Sequence, residues 1–232
     1  MGWWRRWRVC LCLETFTPKS GSQAAAMSKK SKPVEHYFSS VPKCDDRFGL
    51  VRAKLRGRSF EFLTSSSVFS KKKVDLGTHV LIDAMVLPEK GSVLDIGCGY
   101  GAVGIAAAAS NPNLRVVMTD VNMRAVRLAR QNVVNNRIRN AEVRYGYLYE
   151  PVADMRFDCV LSNPPVSAGM DTVKGVIAGA AGVLAAGGSF QMVIRSKIGA
   201  KALPEAFVAV FGNCEVLARE SGFRVLMGRV GV

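Results

Sequence analysis

Val93-Leu94-Asp95-Ile96-Gly97-Cys98-Gly99-Tyr100-Gly101 is a short apolar run containing one carboxylate; it breaks into three alternating glycines and opens onto the alanine-rich residues 102–110. An apolar run of this length bounded by glycines predicts a buried strand, and the alanines predict a helix. The glycines between them permit positive φ and let backbone come close to a ligand. Strand, glycine turn and helix in that order begin a βαβ unit, and the alternation continues downstream. Strands are expected at residues 92–96, 115–119, 142–145, 157–162, 189–194, 214–220 and 223–230, with helices at 102–110, 122–136, 170–185 and 200–210. Ser221 and Gly222 alone separate the last two strands, too little chain for a crossover helix, so that pair is expected to be antiparallel. The class is α/β: five parallel strands and a terminal hairpin, with helices on both faces.

Upstream, residues 50–55 and 59–64 flank Gly57-Arg58 and predict a hairpin, and residues 76–87 predict a helix. The expected organisation is a core over 91–232, a basic hairpin-and-helix cap over 27–90, and an extension over 1–26. The extension holds Trp3, Trp4 and Trp7 and then lapses into small polar residues, whereas Met27 opens MSKKSKP, an ordinary N-terminus. Residues 1–26 are therefore expected to be a disordered leader ahead of a start at Met27.

The 232 residues are 49% hydrophobic and 22% charged, which supplies a core and excludes intrinsic disorder. No apolar run reaches the roughly 18 residues of a membrane-spanning helix. The six cysteines lack zinc-ribbon spacing and the chain has two histidines, His36 and His79, so no metal site is expected. No secretion signal precedes the cysteines, which leads to reduced thiols and a cytoplasmic location. Half of the +14 net charge lies in residues 27–75, with twelve Lys/Arg against five acids. A polyanion would be drawn there, unless the charge only keeps the surface soluble.

Two ligands compete for the glycine turn. Gly99-x-Gly101-x-x-Gly104, with Asp120 at the end of the next strand, matches a nicotinamide dinucleotide fingerprint. Asp95, however, sits two residues before Gly97, where a carboxylate would repel a pyrophosphate. An acid there suits S-adenosylmethionine, which carries an ammonium and a sulfonium and no phosphate. Asp120 and Asn122 then fit the adenosine ribose; the bland alternative makes Asp95 a structural cap on loop amides.

The fourth core strand ends in Asn163-Pro164-Pro165, at the strand edge where open α/β sheets bind ligands. Successive prolines lack N–H groups and favour extended geometry, which leaves carbonyls free to accept. An exocyclic amine held by the Asn163 side-chain oxygen and the Pro164 carbonyl has both hydrogens occupied and its lone pair free for in-line methyl transfer. Fixed acceptor dipoles stabilise the positive charge that grows on nitrogen. Positioning alone can supply roughly 7–11 kcal/mol, so no strong base is required.

Taken together, the loop DIGCGYGAVGI, the acid in MTDVN, the SNPP turn and the upstream SSSVFSKKKVDLGTHVLID make residues 35–232 resemble the small-domain methyltransferase family, which includes ribosomal-RNA guanine-N2 methyltransferases. The resemblance implies a Rossmann-like sheet with core strands ordered 3-2-1-4-5-7-6, S-adenosylmethionine as cofactor, and Phe69, Ser70 and the Thr78 region close to it. Two departures matter. Where the family shows an acid contacting adenine, this chain reads Gly146-Tyr147-Leu148-Tyr149, so Tyr147 or a backbone group is the expected substitute. Where nucleic-acid enzymes of the family place an aromatic after the prolines, this chain has Val166, forgoing a stacking contact worth roughly 1–3 kcal/mol.

The leading expectation is an enzyme that methylates a base amine, guanine N2, in structured ribosomal RNA. Arg52, Lys54, Arg56, Arg58 and Lys71 to Lys73 are expected to overhang the transfer site and track phosphates, and Arg124, Arg127 and Arg130 to form a solvated helix face. The same chemistry on a protein glutamine amide, a nicotinamide oxidoreductase, and a non-catalytic RNA-binding protein that retains the pocket stay open as alternatives. A serine hydrolase has no support, since G-x-S-x-G is absent.

Overall fold

The computed structural model describes residues 48–65, 73–165 and 169–231. Strands β1 (Phe48–Leu55) and β2 (Arg58–Ser65) pair as an antiparallel hairpin, followed by α1 (Leu76–Ala84). Then come β3 (Gly91–Ile96), α2 (Ala102–Ser110), β4 (Leu114–Asp120), α3 (Met123–Asn135), β5 (Ala141–Tyr145), β6 (Phe157–Ser162), α4 (Met170–Ala180), β7 (Leu184–Arg195), α5 (Ala202–Phe211), β8 (Glu215–Glu220) and β9 (Phe223–Arg229). Seven strands form one sheet in the order β5-β4-β3-β6-β7-β9-β8. Its pairings are parallel except where β9 runs antiparallel to β7 and β8. This is the order that the family resemblance implied, with the antiparallel terminal pair that the Ser221-Gly222 link implied. Chain order reverses between β3 and β6, and an open α/β sheet forms its ligand crevice at the carboxyl ends flanking that reversal.

Alternation along the strands feeds two cores. On one face Val93, Val116, Met118, Cys159 and Leu161 pack under α1, α2 and α3; on the other Leu94, Ile96, Val117, Val160 and Phe190 pack under α4 and α5. No described helix is long and apolar enough to cross a membrane.

Two expected helix boundaries move. The helix expected over 170–185 stops at Ala180, and β7 begins at Leu184. Residues 185–188 then bulge out, since Phe157 of β6 faces Leu184 while Cys159 already faces Ser189. Gly187 takes φ +73° within that bulge, a conformation the alanine-rich pattern could not announce. The helix expected over 76–87 stops at Ala84 because Gln191 of β7 captures the backbone beyond it: Val86 N–H donates to Gln191 Oε1, and Gln191 Nε2 donates to the Val86 carbonyl.

The hairpin is fastened by the same device. Asn132 Oδ1 accepts from Leu63 N–H at 2.7 Å, and its Nδ2 donates to the carbonyls of Leu63 and Tyr100. One helical turn on, Asn136 repeats the pattern with Glu61. Two amide side chains, one on α3 and one at its C-cap, thus stand in for a neighbouring strand along the edge of β2, and Asn132 ties that edge to the glycine turn. Asn132 is fully buried. Its replacement by alanine leaves backbone groups unpaired and is expected to lower stability by about 2–3 kcal/mol, read from the urea midpoint at unchanged m-value, with less than half that loss for Asn136→Ala.

Arg56, expected among the cations that overhang the candidate site, serves instead as a fastening to α1, and Lys71 and Lys72 lie outside the described residues. Arg56 donates to the carbonyls of Ile82 and Met85, at the end of α1 opposite the turn that meets Asn163. Arg52 pairs with Glu61. Arg52 thus bridges the two strands of the hairpin, and Arg56 ties the hairpin to α1. Arg130, expected in the solvated stripe on α3, reaches the Val143 carbonyl of β5.

Candidate active site

Asp95 is the last but one residue of β3, and the pleat aims it toward α2. Its Oδ2 accepts from Gly104 N–H at 2.8 Å. Gly104 lies in the first turn of α2, whose N-cap is Gly101 at φ +93° with no capping side chain. The strand carboxylate therefore acts as a remote helix cap. Gly104 must lack a Cβ, because one would meet Met118 Cγ at 2.4 Å and Asp95 Oδ2 at 3.1 Å. Gly97 and Gly99 take φ of +70° and +58°, and nothing lies within 4 Å of a Cβ built on either. They form an open cradle whose backbone a ligand can reach.

Asp120 closes the turn from the other side: Gly99 N–H donates to its Oδ2 and Asn122 N–H to its Oδ1, both at 2.8 Å. Asn122, expected at the ribose, uses its side-chain oxygen to cap α3 through Arg124 N–H. Burial raises the Asp120 carboxyl against the pull of its backbone donors. Burial also pushes the Asp95 carboxyl up to about 7, opposed by the Gly104 N–H and assisted by the Asp120 charge. Burial thus disfavours the ionised form of Asp95, a cost that a nearby cation would offset.

Asn163 follows β6 directly. Its Nδ2 donates to Thr78 Oγ1 at 2.8 Å and lies 3.4 Å from Asp75 Oδ2. The Thr78 hydroxyl in turn donates to Asp75 Oδ2, while Asp75 Oδ1 accepts from Thr78 N–H as the N-cap of α1. A carboxylate only accepts, so the Asn163 amide cannot turn its oxygen toward Asp75. Its Oδ1 is the end left toward the cleft, free of the Asp75–Thr78 pair. Asp75 is the residue the sequence reading missed, although an acid three positions ahead of Thr78 at the start of an apolar helix is an N-cap signal.

Two clefts meet at Gly97. One is lined by Asp75, Thr78, Asp95, Cys98, Gly99 and Asn163 and has acids but no cation among the described residues of its wall. The other is lined mainly by apolar groups of Ile96, Val121, Leu148, Pro164, Pro165 and Val176, with Thr119, Asp120 and Tyr147. Thr119 Oγ1 is buried without a hydrogen-bond partner. Tyr147 is half exposed at the rim. The structure therefore brings together Asp95, Gly97, Gly99, Asp120, Thr78, Asn163, Pro164, Pro165 and Tyr147. Gly101 and Asn122 serve the turns beside them, and Phe69 and Ser70 lie outside the described residues. Among the described residues no cluster of His, Cys, Asp and Glu could hold a metal ion.

The methyltransferase small-domain model matches residues 59–227. The chain belongs to that family. It is a methyltransferase, and the family's donor is S-adenosylmethionine. Among curated proteins it is 34% identical to YbxB of Bacillus subtilis over 197 residues, covering 84% of this chain and 98% of that protein. It is also 34% identical over 172 residues to Ribosomal RNA small subunit methyltransferase C of Yersinia enterocolitica, covering 72% of this chain and 48% of that one. Among solved structures, a T. thermophilus 16S rRNA N2 methyltransferase in complex with AdoMet and guanosine superposes with a TM-score of 0.73 at 24% identity, over 82% of this chain and 52% of that chain. This methyltransferase thus spans nearly all of YbxB and about half the length of the Yersinia and T. thermophilus relatives.

The wall of the small-domain site fits a cationic donor. Asp95 and Asp75 line the polar cleft without a compensating base among the described residues, a wall that suits a cation better than the pyrophosphate of the nicotinamide alternative. A pH dependence follows. Asp95 is neutral below about 7 and ionised above it, so donor affinity is expected to strengthen as pH rises from 6 to 8. Calorimetry should find Kd falling by up to about tenfold over the first unit and levelling above 7, and Asp95→Asn should weaken binding and flatten the profile.

Proposed function

We propose that this methyltransferase modifies an exocyclic base amine, guanine N2, in structured ribosomal RNA. One observation carries the reading: Asp75 and Thr78 take the amide nitrogen of Asn163, which makes Oδ1 an oriented acceptor at the junction of an acid-lined and an apolar cleft. The names of its relatives support the substrate class, since the Yersinia proteins are called ribosomal RNA methyltransferases and the T. thermophilus structure is described with guanosine.

In this reading Asp95, Gly97 and Gly99 hold the methionine end of the donor. Asp120, Tyr147 and the apolar cleft hold its adenosine, and Thr119 Oγ1 offers an unused hydrogen bond there. When bound, S-adenosylmethionine supplies an electrophilic methyl group on a sulfonium. Asn163 Oδ1 and the Pro164 carbonyl each accept one hydrogen of the substrate amine. The lone pair stays on nitrogen, and both dipoles stabilise the charge that nitrogen gains more strongly than they stabilise the neutral amine. Pro165 keeps the segment extended and contributes no competing donor.

The test is labelled-methyl transfer to unmodified small-subunit ribosomal RNA, with the product nucleosides separated. N2-methylguanosine is the expected product. Label that survives ribonuclease and is lost to protease would replace this reading with a glutamine-amide substrate.

A further inference from the structure

We propose that residues 196–201, with Arg195, Arg219 and Arg224 beside them, form the phosphate-binding surface that seats RNA against Asn163; this rests on the RNA reading above. The sheet sets the position. Ser162, the residue before Asn163, pairs with Met192 of β7, and β7 ends three residues later at Arg195. The connection that follows, Ser196-Lys197-Ile198-Gly199-Ala200-Lys201, leaves the same edge of the sheet as Asn163, from the neighbouring strand. With Arg195 it holds three cations and no acid.

Arg195, Lys197, Lys201 and Arg219 are exposed, and none of them pairs with a carboxylate among the described residues. Arg195 lies over the Phe223 ring at 5.4 Å, and Phe223 abuts Gly77, in the first turn of α1 between Asp75 and Thr78. The basic edge is thus in packing contact with the turn that orients Asn163.

Arg224 points further to an anion. It is buried, its Nη2 donates to the carbonyls of Gly199 and Ala200, and its Nε has no partner. It clamps the loop in place, as do Ser196 N–H on the Gly222 carbonyl and Leu203 N–H on the Gly199 carbonyl. Across the strand pair it faces Arg219, so two like charges lie opposite each other. Glu220, on the outer strand and opposite Phe223, is the acid at this level of the sheet. A like-charged pair beside a clamped loop that carries exposed cations is a poor arrangement for stability alone and a good one for phosphate. On the hairpin, by contrast, Arg52 pairs with Glu61 and Arg56 with α1 carbonyls, which leaves Lys54 and Arg58 as the cations to test as a control.

The experiment compares the full chain, the double variant Lys197→Glu/Lys201→Glu and a charge-matched hairpin control, Lys54→Glu/Arg58→Glu, on an unmodified small-subunit ribosomal RNA transcript. Filter binding at a series of KCl concentrations gives affinity and salt slope; methyl transfer to the same transcript is followed in parallel, and calorimetry of S-adenosylmethionine checks each fold. The loop variant is expected to bind at least tenfold more weakly at the lowest salt, with a log–log slope shallower by about two and donor affinity unchanged. The hairpin control should stay within about twofold of wild type. An unchanged slope in the loop variant, or the loss appearing in the hairpin control instead, overturns the surface while leaving the methylation reading intact. A transcript bound through the loop but never methylated overturns the methylation reading and leaves the surface standing; no binding by wild type removes both.

Discussion

Asn163→Ala is expected to lower kcat on RNA by at least two orders of magnitude while leaving the affinity for S-adenosylmethionine within about twofold. The size follows from removing one preorganised acceptor at the atom where charge develops, which typically costs a factor of roughly 100–1,000. The selectivity for kcat follows from when that charge appears. The amine is neutral when it binds and positive as it reacts, so an acceptor aimed at its hydrogens matters more in the transition state. Donor binding should survive because Asp95, Gly97, Gly99 and Asp120 are held by backbone contacts that do not pass through Asn163. Single-turnover rates with saturating RNA, set beside donor calorimetry, separate the two quantities. A loss smaller than about fivefold would shift the holding of the amine to the Pro164 carbonyl and remove the reason for Asn163 at this position.

The sheet was legible in the sequence because its signals are local. Each core strand is an apolar run closed by turn residues, and the two-residue link Ser221-Gly222 forces the antiparallel end. The same holds for the glycine turn and for Asn163-Pro164-Pro165. What escaped the reading depends on partners far along the chain. Asp75 meets Asn163 across 88 positions and Asn132 meets Leu63 across 69, and no periodicity marks either pair. Arg56 read as one more cation of a basic run, and only its contact with α1 shows it to be a fastening. Asp95 read as either a ligand for a cation or a cap for loop amides; the structure makes it a cap of α2 through one oxygen while it lines the polar cleft. The helix boundary near Ala180 was missed because alanine and glycine runs suit a helix as well as a bulged strand entry. The elements and the terminal hairpin thus followed from short-range pattern and the strand order from the family resemblance, whereas the support beneath the candidate catalytic amide lies in tertiary contacts.

That support yields the second large effect. Asp75→Ala is expected to reduce kcat by about 10- to 100-fold through a residue that need not touch the substrate. Asp75 fixes the Thr78 hydroxyl, and together they engage the Nδ2 side of Asn163, so the amide has one allowed orientation. Without the carboxylate the amide can flip, and a fraction of molecules would present N–H groups to an amine that needs an acceptor. Asp75 also caps α1, so the variant should lose about 0.5–2 kcal/mol of stability, visible as a lower Tm and separable from kcat by assaying well below it. Thr78 distinguishes orientation from general damage. Thr78→Ser keeps the hydroxyl and should stay within about threefold of wild type, whereas Thr78→Val removes it and should fall with Asp75→Ala. If Asp75 acts through Asn163, the double variant Asp75→Ala/Asn163→Ala will be no slower than Asn163→Ala alone, because an amide already absent cannot be misoriented. Additive losses in that cycle would assign Asp75 a separate role at the donor's cationic end, a role its place in the wall of the acid-lined cleft allows.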